Sequence, residues 1–79
     1  MTLGATQRRV LLLAELYQRR TGQAPTWGEL SKPLGIPRAE LRSRMLALRR
    51  ADFVVFTDEP RSLQVTAKGV RAAVNGGRS

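Results

Sequence analysis

The stretch PTWGELSKPLGIPRAELRSRMLALRRADFV, residues 25–54, predicts two helices joined by a tight turn and followed by a strand. Thr26 is a favourable helix N-cap, and Glu29 three residues later completes a capping box with it. We expect this helix to end before Pro33, because proline has no N–H to donate to a helix. Gly35 then suits the left-handed turn that follows many helices. The stretch therefore begins with a short capped helix and a tight turn.

A second helix is predicted to begin near Pro37, since proline loses no hydrogen bond at the first helical position. Leu41, Met45 and Leu48 recur at helical spacing and form one inward apolar stripe. The outer face is small and basic, and it comprises Ala39, Ser43, Leu46 and Arg50, flanked by Arg38, Glu40, Arg42 and Arg49. Small side chains let a helix approach base edges, and arginine binds guanine or phosphate. This face therefore suits the major groove of DNA, although a surface helix with solvated charges has the same pattern.

The residues before this stretch predict another helix, capped by Thr6 and ending near Arg20. Its inward apolar stripe consists of Val10, Leu13, Ala14 and Tyr17. Leu12 and Leu16 form a second apolar pair, displaced toward another side of the helix. The last helix of the chain or a second protomer could cover this pair, and the sequence leaves both alternatives open.

The residues after the stretch predict a β-hairpin. Asp52 can adopt the left-handed conformation that ends a helix. Residues 53–57 are β-branched and aromatic, and residues 62–66 alternate between apolar and polar, so both segments are typical of strands. The charged turn between them contains Pro60, which excludes a central strand there.

A short final helix over residues 67–74 is predicted from its cap, Thr66, and its apolar face. Residues 1–79 thus form one small domain, mainly α-helical with a small β-hairpin. We expect residues 1–5 and 76–79 to be flexible.

The composition limits the classes of partner and reaction. The net charge is +8, so the expected partner is a polyanion, with nucleic acid ahead of an anionic membrane surface. Twelve of the fourteen basic residues are arginine, which suits bidentate contacts to phosphate or guanine, although a GC-rich genome produces the same bias. The chain has neither cysteine nor histidine, so we expect no enzyme, no metal site and no cofactor. No small-molecule ligand is evident, and no apolar run is long enough to span a membrane, so we expect a cytoplasmic, nucleoid-associated protein.

The segments TGQAPTWGELSKPLGI and LRSRMLALRRADFVVF resemble the DNA-binding domain of the LexA family of SOS repressors. The positions that match the family pattern are Thr21, Gly22, Pro25, Thr26, Glu29, Leu34, Gly35 and Leu48. The hairpin and the following VTAKG, residues 65–69, also resemble the wing and next helix of MarR-type regulators. The resemblance implies a winged helix-turn-helix, with a three-helix core, a two-stranded wing and a short C-terminal helix.

By this resemblance, the helix over residues 38–50 enters the major groove, and the hairpin over residues 54–66 lies along the backbone or in the minor groove. The base-reading positions would be Ala39, Glu40, Arg42 and Ser43. The self-cleaving peptidase domain of the SOS repressors has no counterpart in these residues, so autoproteolytic induction is not expected. Arg42 and Ser43 replace acidic residues of those repressors, so the resemblance implies no particular operator sequence.

We therefore expect a sequence-selective protein that binds double-stranded DNA, a small transcriptional regulator such as a repressor, acting as a monomer or as a homodimer. The expected phosphate-binding residues are Thr26, Arg38, Arg49, Arg50 and Arg61. The alternative is a winged-helix module for protein–protein interaction, or a DNA-processing accessory factor without operator specificity. Its candidate partner or homodimer surface comprises Leu12, Leu16 and Leu46.

Overall fold

A computed structural model of the chain describes residues 3–75, which form four helices and one two-stranded antiparallel hairpin. In chain order the elements are α1 (Ala5–Thr21), α2 (Trp27–Leu34), α3 (Arg38–Arg50), β1 (Val54–Val55), β2 (Gln64–Val65) and α4 (Ala67–Asn75). The prediction of a mainly helical domain with a small hairpin is confirmed. Of the ends predicted to be flexible, residues 1–5 and 76–79, residues 1–2 and 76–79 lie outside the described residues, while Leu3 packs against the core and Ala5 begins α1.

Helix α1 begins earlier than its sequence indicates. Gly4 is the N-cap, with extended backbone, so the prediction that Thr6 caps this helix is wrong, and Thr6 lies inside the first turn. Leu3 packs against the core just before the helix. At the other end, Gly22 adopts a φ of 74° and donates its N–H to the Gln18 carbonyl at 2.8 Å. That left-handed residue ends α1 close to the predicted position.

The capping box at the start of α2 is confirmed. The Thr26 hydroxyl accepts the Glu29 N–H at 3.2 Å, and the Glu29 carboxylate accepts the Thr26 N–H at 2.9 Å. The helix does not end before Pro33 as predicted, but continues through it to Leu34. Proline removes one donor, yet the final turn is closed by Gly35, whose N–H bonds the Ser31 carbonyl at 2.9 Å and whose φ is 69°.

Helix α3 begins at Arg38, so Pro37 is its N-cap and not, as predicted, its first helical residue. Its predicted inward stripe of Leu41, Met45 and Leu48 is confirmed, since all three are buried. Asp52 adopts the predicted left-handed conformation, with a φ of 64°. That turn lets the Phe53 N–H bond the Leu48 carbonyl at 3.0 Å, and the chain then enters β1.

The hairpin is in the predicted place, but its strands are shorter than predicted. Val54 pairs with Val65, and Val55 pairs with Gln64. Beyond these pairs a hydroxyl replaces the strand hydrogen bonds. The Ser62 hydroxyl accepts the Thr57 N–H at 2.9 Å and donates to the Thr57 carbonyl at 3.1 Å. This side-chain bridge joins the two arms below the Pro60 turn.

The core lies where α1, α2, α3 and the hairpin meet. Its fully buried large side chains are Val10, Leu11, Leu30, Leu41, Met45 and Val54. Leu11 was not predicted to face inward, whereas the predicted Leu13 and Tyr17 are only half-buried. The reason is that α1 packs against α2, β2 and α4 together, so its buried surface is wider than one helical stripe. Of the alternatives for its second flank, α4 covers Leu11 but leaves Leu12 and Leu16 exposed.

Thr66 caps α4 as predicted, since its hydroxyl accepts the Gly69 N–H at 3.0 Å. The same hydroxyl donates to the Asp52 carbonyl at 2.7 Å, so α4 is tied to the turn after α3. None of the helices within residues 3–75 is long and apolar enough to cross a membrane.

Candidate nucleic-acid interface

A groove of about 320 Å³ lies between the start of α2, one side of α3 and the hairpin. We call it the arginine groove, because its lining includes Arg38, Arg42, Arg49 and Arg61. Thr26, the cap of α2, lies at its edge, and Asp58 and Glu59 line it from the hairpin tip. The structure thus brings together five residues that the sequence nominated for DNA contact, four of them arginines. The lining carries four guanidinium groups against the two carboxylates of Asp58 and Glu59, so the groove has a net positive charge and attracts an anion.

The arginines of α3 share one side of the helix. Residues 38, 42 and 49 lie at helical spacing, beside the buried stripe and facing the hairpin. Arg38 reaches across to the first turn of α2, where a Cβ built on Gly28 would lie 2.5 Å from its Nη2 atom. The absent side chain at Gly28 therefore leaves room for the Arg38 guanidinium beside a helix N-terminus, where N–H groups have no partner within the helix.

Arg49 is held against the hairpin by an aromatic ring. Its Cζ atom lies 4.4 Å from the ring centroid of Phe56, and its Nη1 donates to the Phe56 carbonyl at 3.5 Å. Trp27 meets the other side of this cluster, with its ring centroid 5.1 Å from that of Phe56 in an edge-to-face arrangement. These contacts join the end of α3, the start of α2 and the hairpin through side chains that also line the arginine groove.

Arg61 is engaged by the protein itself. Its Nη1 and Nη2 donate to the two carboxylate oxygens of Glu29 at 2.8 and 3.1 Å, and Nη1 also donates to the Ala24 carbonyl at 3.0 Å. The Tyr17 hydroxyl donates to the same carboxylate at 2.5 Å. Hydrogen bonds from Arg61, then from Tyr17 and the Thr26 backbone, lower the pKa of Glu29 from 4.5 to about 2. The pairing in turn raises the pKa of Arg61.

This network was missed at the sequence level. The sequence indicates a capping role for Glu29 and a place for Tyr17 in the apolar stripe of α1, but no contact between them. Glu29 and Arg61 are 32 positions apart, on a helix and a hairpin tip, so no local pattern links them. The prediction that Arg61 binds a phosphate stays a prediction, but the guanidinium would have to share or leave its bonds with Glu29.

The predicted base-reading residues do not all face the same way. Arg42 lines the arginine groove, whereas Glu40 and Ser43 line a shallow depression toward Gln7 at the start of α1. Glu40 accepts from Arg44 at 3.3 Å, so its carboxylate is already paired. These side chains and Ala39 are exposed.

Two further predicted residues lie outside the arginine groove. Arg50 is exposed at the end of α3 and is not part of the groove lining. Leu46, which the sequence placed exposed on the outer face of α3, is half-buried, while its role in contacting a partner stays a prediction.

Leu12 and Leu16 form a ridge on α1, with 38% and 44% of each residue exposed. The ridge lies between two apolar grooves, one toward Val70 and Val74 of α4 and one toward Leu34 of α2. Leu46 lines neither of these two grooves, and the prediction that the three leucines form a partner surface stays a prediction.

Neither the protein-family models nor the curated proteins compared with this sequence match it. The resemblance to LexA and MarR-type regulators therefore rests on the residues quoted above and on the compatible arrangement of helices and hairpin. Within residues 3–75, the His, Cys, Asp and Glu side chains form no group of three that could hold a metal ion.

Proposed function

We propose that this protein is a winged helix-turn-helix protein that binds double-stranded DNA with sequence selectivity, as a small transcriptional regulator. In this proposal α3 enters the major groove, and the hairpin over residues 54–66 lies along the backbone or in the minor groove. The observation that carries the proposal is the arginine groove, in which three guanidinium groups of α3 face the hairpin across one concave surface.

The order of the elements supports the proposed fold class. Helices α2 and α3 are joined by a tight turn at Gly35, and the hairpin follows α3 directly. A helix-turn-helix presents its second helix to base edges. On α3 the exposed Ala39 and Ser43 are small, so the backbone can approach a base pair while Arg42 reaches a guanine edge.

The other cations of this surface are proposed to contact DNA phosphates and so to position the protein on the duplex. Arg38 and Arg49 line the arginine groove, Arg50 is exposed beside them, and Thr26 marks the N-terminus of α2, where backbone N–H groups favour an anion. If three or four phosphates are neutralised, log K should fall with log salt at a slope of roughly −2.7 to −3.6. The slope thus reports how many of these arginines contact the backbone.

The proposal is tested by fluorescence anisotropy with a duplex selected from a random pool and with unselected duplexes, at several salt concentrations. Arg42→Ala should remove most of the preference for the selected duplex, by about 1–3 kcal/mol if Arg42 reads a guanine. Arg9→Ala is the matched control, because Arg9 lines the groove beside Leu12 and Leu34 instead. Equal, weak binding to every duplex, unaffected by Arg42→Ala, would contradict sequence reading.

A protein-interaction module is the second candidate, and the exposed ridge of Leu12 and Leu16 favours it. Apolar side chains flanked by grooves are typical of surfaces that bind a partner or a second copy. If DNA binding is weak and unselective, this ridge is the surface to study. Weak binding that does depend on the arginine groove would instead indicate an accessory factor in DNA processing.

A further inference from the structure

We propose that Arg61 is a positioning residue for DNA binding and not a phosphate contact. Its pairing with Glu29 fixes the hairpin tip against the start of α2 and thereby sets the shape of the arginine groove. This inference rests on the proposed function, since it assigns how one part of the same interface is held. It also gives Glu29 a second role beside its capping of α2.

The side-chain donors of Arg61 are already engaged within the protein. Both terminal nitrogens donate to the Glu29 carboxylate, at 2.8 and 3.1 Å, and Nη1 donates also to the Ala24 carbonyl at 3.0 Å. A bidentate grip on a phosphate uses the same paired N–H groups. To bind a phosphate in this way, Arg61 would have to give up its hydrogen bonds to Glu29. Arg38 and Arg42 are not bonded to Glu29, so they would not pay this cost.

The bonds of Arg61 connect the hairpin tip to three other segments. The acceptors around Arg61 come from the end of α1 (Tyr17), the connector (Ala24) and α2 (Glu29). The hairpin itself has strands of only two residues each. Such a short ladder leaves the tip weakly fixed, so contacts at its far end decide where the tip lies. The tip includes Asp58, Glu59 and Pro60, which form one wall of the arginine groove.

The backbone of the tip is consistent with this interpretation. Arg61 has a φ of 59°, in the left-handed region that residues with a Cβ rarely adopt. An unfavourable backbone conformation persists only where the surrounding contacts hold it. At Arg61 those contacts are the bonds to Glu29, Ala24 and Tyr17.

The two possible roles of Arg61, phosphate binding and positioning, predict opposite effects of Glu29→Gln on DNA affinity. Glu29→Gln raises the net charge by one and frees Arg61, so a phosphate-binding Arg61 would bind DNA more tightly in this variant. A positioning Arg61 would bind DNA less well, because the tip loses its anchor. Glutamine also suits the third position of a capping box, so the cap of α2 is retained. Glu59→Gln is the matched control, since Glu59 is exposed at the same tip and the charge change is identical.

The experiment compares these variants with the wild type by anisotropy on the selected duplex, with folding checked by circular dichroism. We expect Glu29→Gln to weaken binding by about two- to fivefold, the effect of losing one partly exposed ion pair, while Glu59→Gln binds at least as tightly as wild type. Trp27 fluorescence without DNA should change in Glu29→Gln only, because Trp27 contacts Phe56 at the base of the hairpin tip.

Arg61→Lys provides the second variant, since it keeps the positive charge but cannot make the paired bonds. We expect it to weaken binding as much as Glu29→Gln does, with an unchanged salt slope, and the double variant to be no weaker than either single one. Tighter binding by Glu29→Gln would overturn the positioning role. A third variant, Arg61→Gln, removes the charge as well as the paired bonds, and a salt slope reduced by about 0.9 in this variant with normal Trp27 fluorescence would also overturn that role. If the wild type binds no duplex selectively, the proposed function fails, and this role fails with it.

Discussion

Gly69 of α4 packs against the backbone carbonyl of Phe53, so closely that a Cβ at position 69 would lie 2.1 Å from that oxygen. The same Cβ would lie 2.9 Å from a methyl group of Val65. The carbonyl cannot move freely, because it accepts the Thr66 N–H at 3.0 Å. This contact lets α4 approach both arms of the hairpin at its base, and it explains a buried glycine inside a helix, where glycine is otherwise unfavourable.

Gly69→Ala is therefore expected to destabilise the protein, although alanine is the better helix former. Overpacking a tight site of this kind costs about 1–3 kcal/mol. Urea denaturation followed by circular dichroism measures the change in the free energy of unfolding. Arg71→Ala on the exposed side of α4 is the control, and its effect should stay within about 0.5 kcal/mol. An unchanged unfolding midpoint for Gly69→Ala would show that α4 does not pack this closely.

Thr26 at the start of α2 and Thr6 in the first turn of α1 are expected to differ in their contribution to stability. Thr26→Ala removes the hydroxyl that accepts the Glu29 N–H, so it should lower the free energy of unfolding by about 1 kcal/mol. Thr26→Ser keeps a capping hydroxyl and should lose much less. Thr6→Ala should have an effect within about 0.5 kcal/mol, because Gly4 is the N-cap of α1. A loss for Thr6→Ala as large as that for Thr26→Ala would contradict the start of α1 described above.

The sequence predicted those features that depend on neighbouring residues. The capping box of Thr26, the buried stripe at Leu41 and the left-handed Asp52 each follow from residues within one or two helical turns. The burial of Leu11 could not be predicted in this way, because it depends on α4 packing back onto α1. The paired Glu29 and Arg61 are likewise joined only by the fold.

Some residues of the candidate site could be predicted from the sequence, and others could not. Charge and helical spacing nominated the arginines of α3, and three of them do line one groove. The pair of Glu40 with Arg44 lies at i, i+4 spacing on one helix and could also have been predicted, whereas the partial burial of Leu46 could not. Whether a side chain on the outer face of a helix is exposed depends on residues that lie near it in space. A local sequence pattern does not reveal those neighbours.

Stability should depend on pH through Glu29. Its pKa is lowered from 4.5 to about 2 in the folded protein, chiefly by Arg61, so the folded state binds its proton less readily than the unfolded state does. The resulting stabilisation is fully present above about pH 4.5 and is lost as the pH falls toward 2. Wild type and Glu29→Gln should therefore differ in unfolding free energy near pH 6 and converge near pH 2.

Thermal or urea unfolding of both proteins across this pH range measures the convergence. Glu59→Gln serves as the control, because it removes an exposed carboxylate at the hairpin tip without removing the pair. A difference between wild type and Glu29→Gln that stays constant from pH 6 to pH 2 would mean that the ion pair with Arg61 does not form in solution.

The ridge of Leu12 and Leu16 permits a test that separates DNA binding from protein association. Both side chains are exposed, and neither belongs to the lining of the arginine groove. Replacing both with glutamine should change the free energy of unfolding by less than about 1 kcal/mol in total. On a short duplex that carries one binding site for a single protomer, we expect DNA affinity to stay within about twofold of wild type, because the groove and its charges are unchanged.

Anisotropy at several protein concentrations, together with sedimentation velocity, measures affinity and association state in the same samples. Reduced affinity that accompanies loss of a dimer would show that the ridge contributes to DNA binding by joining two copies, whereas reduced affinity in a protein that is monomeric throughout would contradict the separation of the two surfaces.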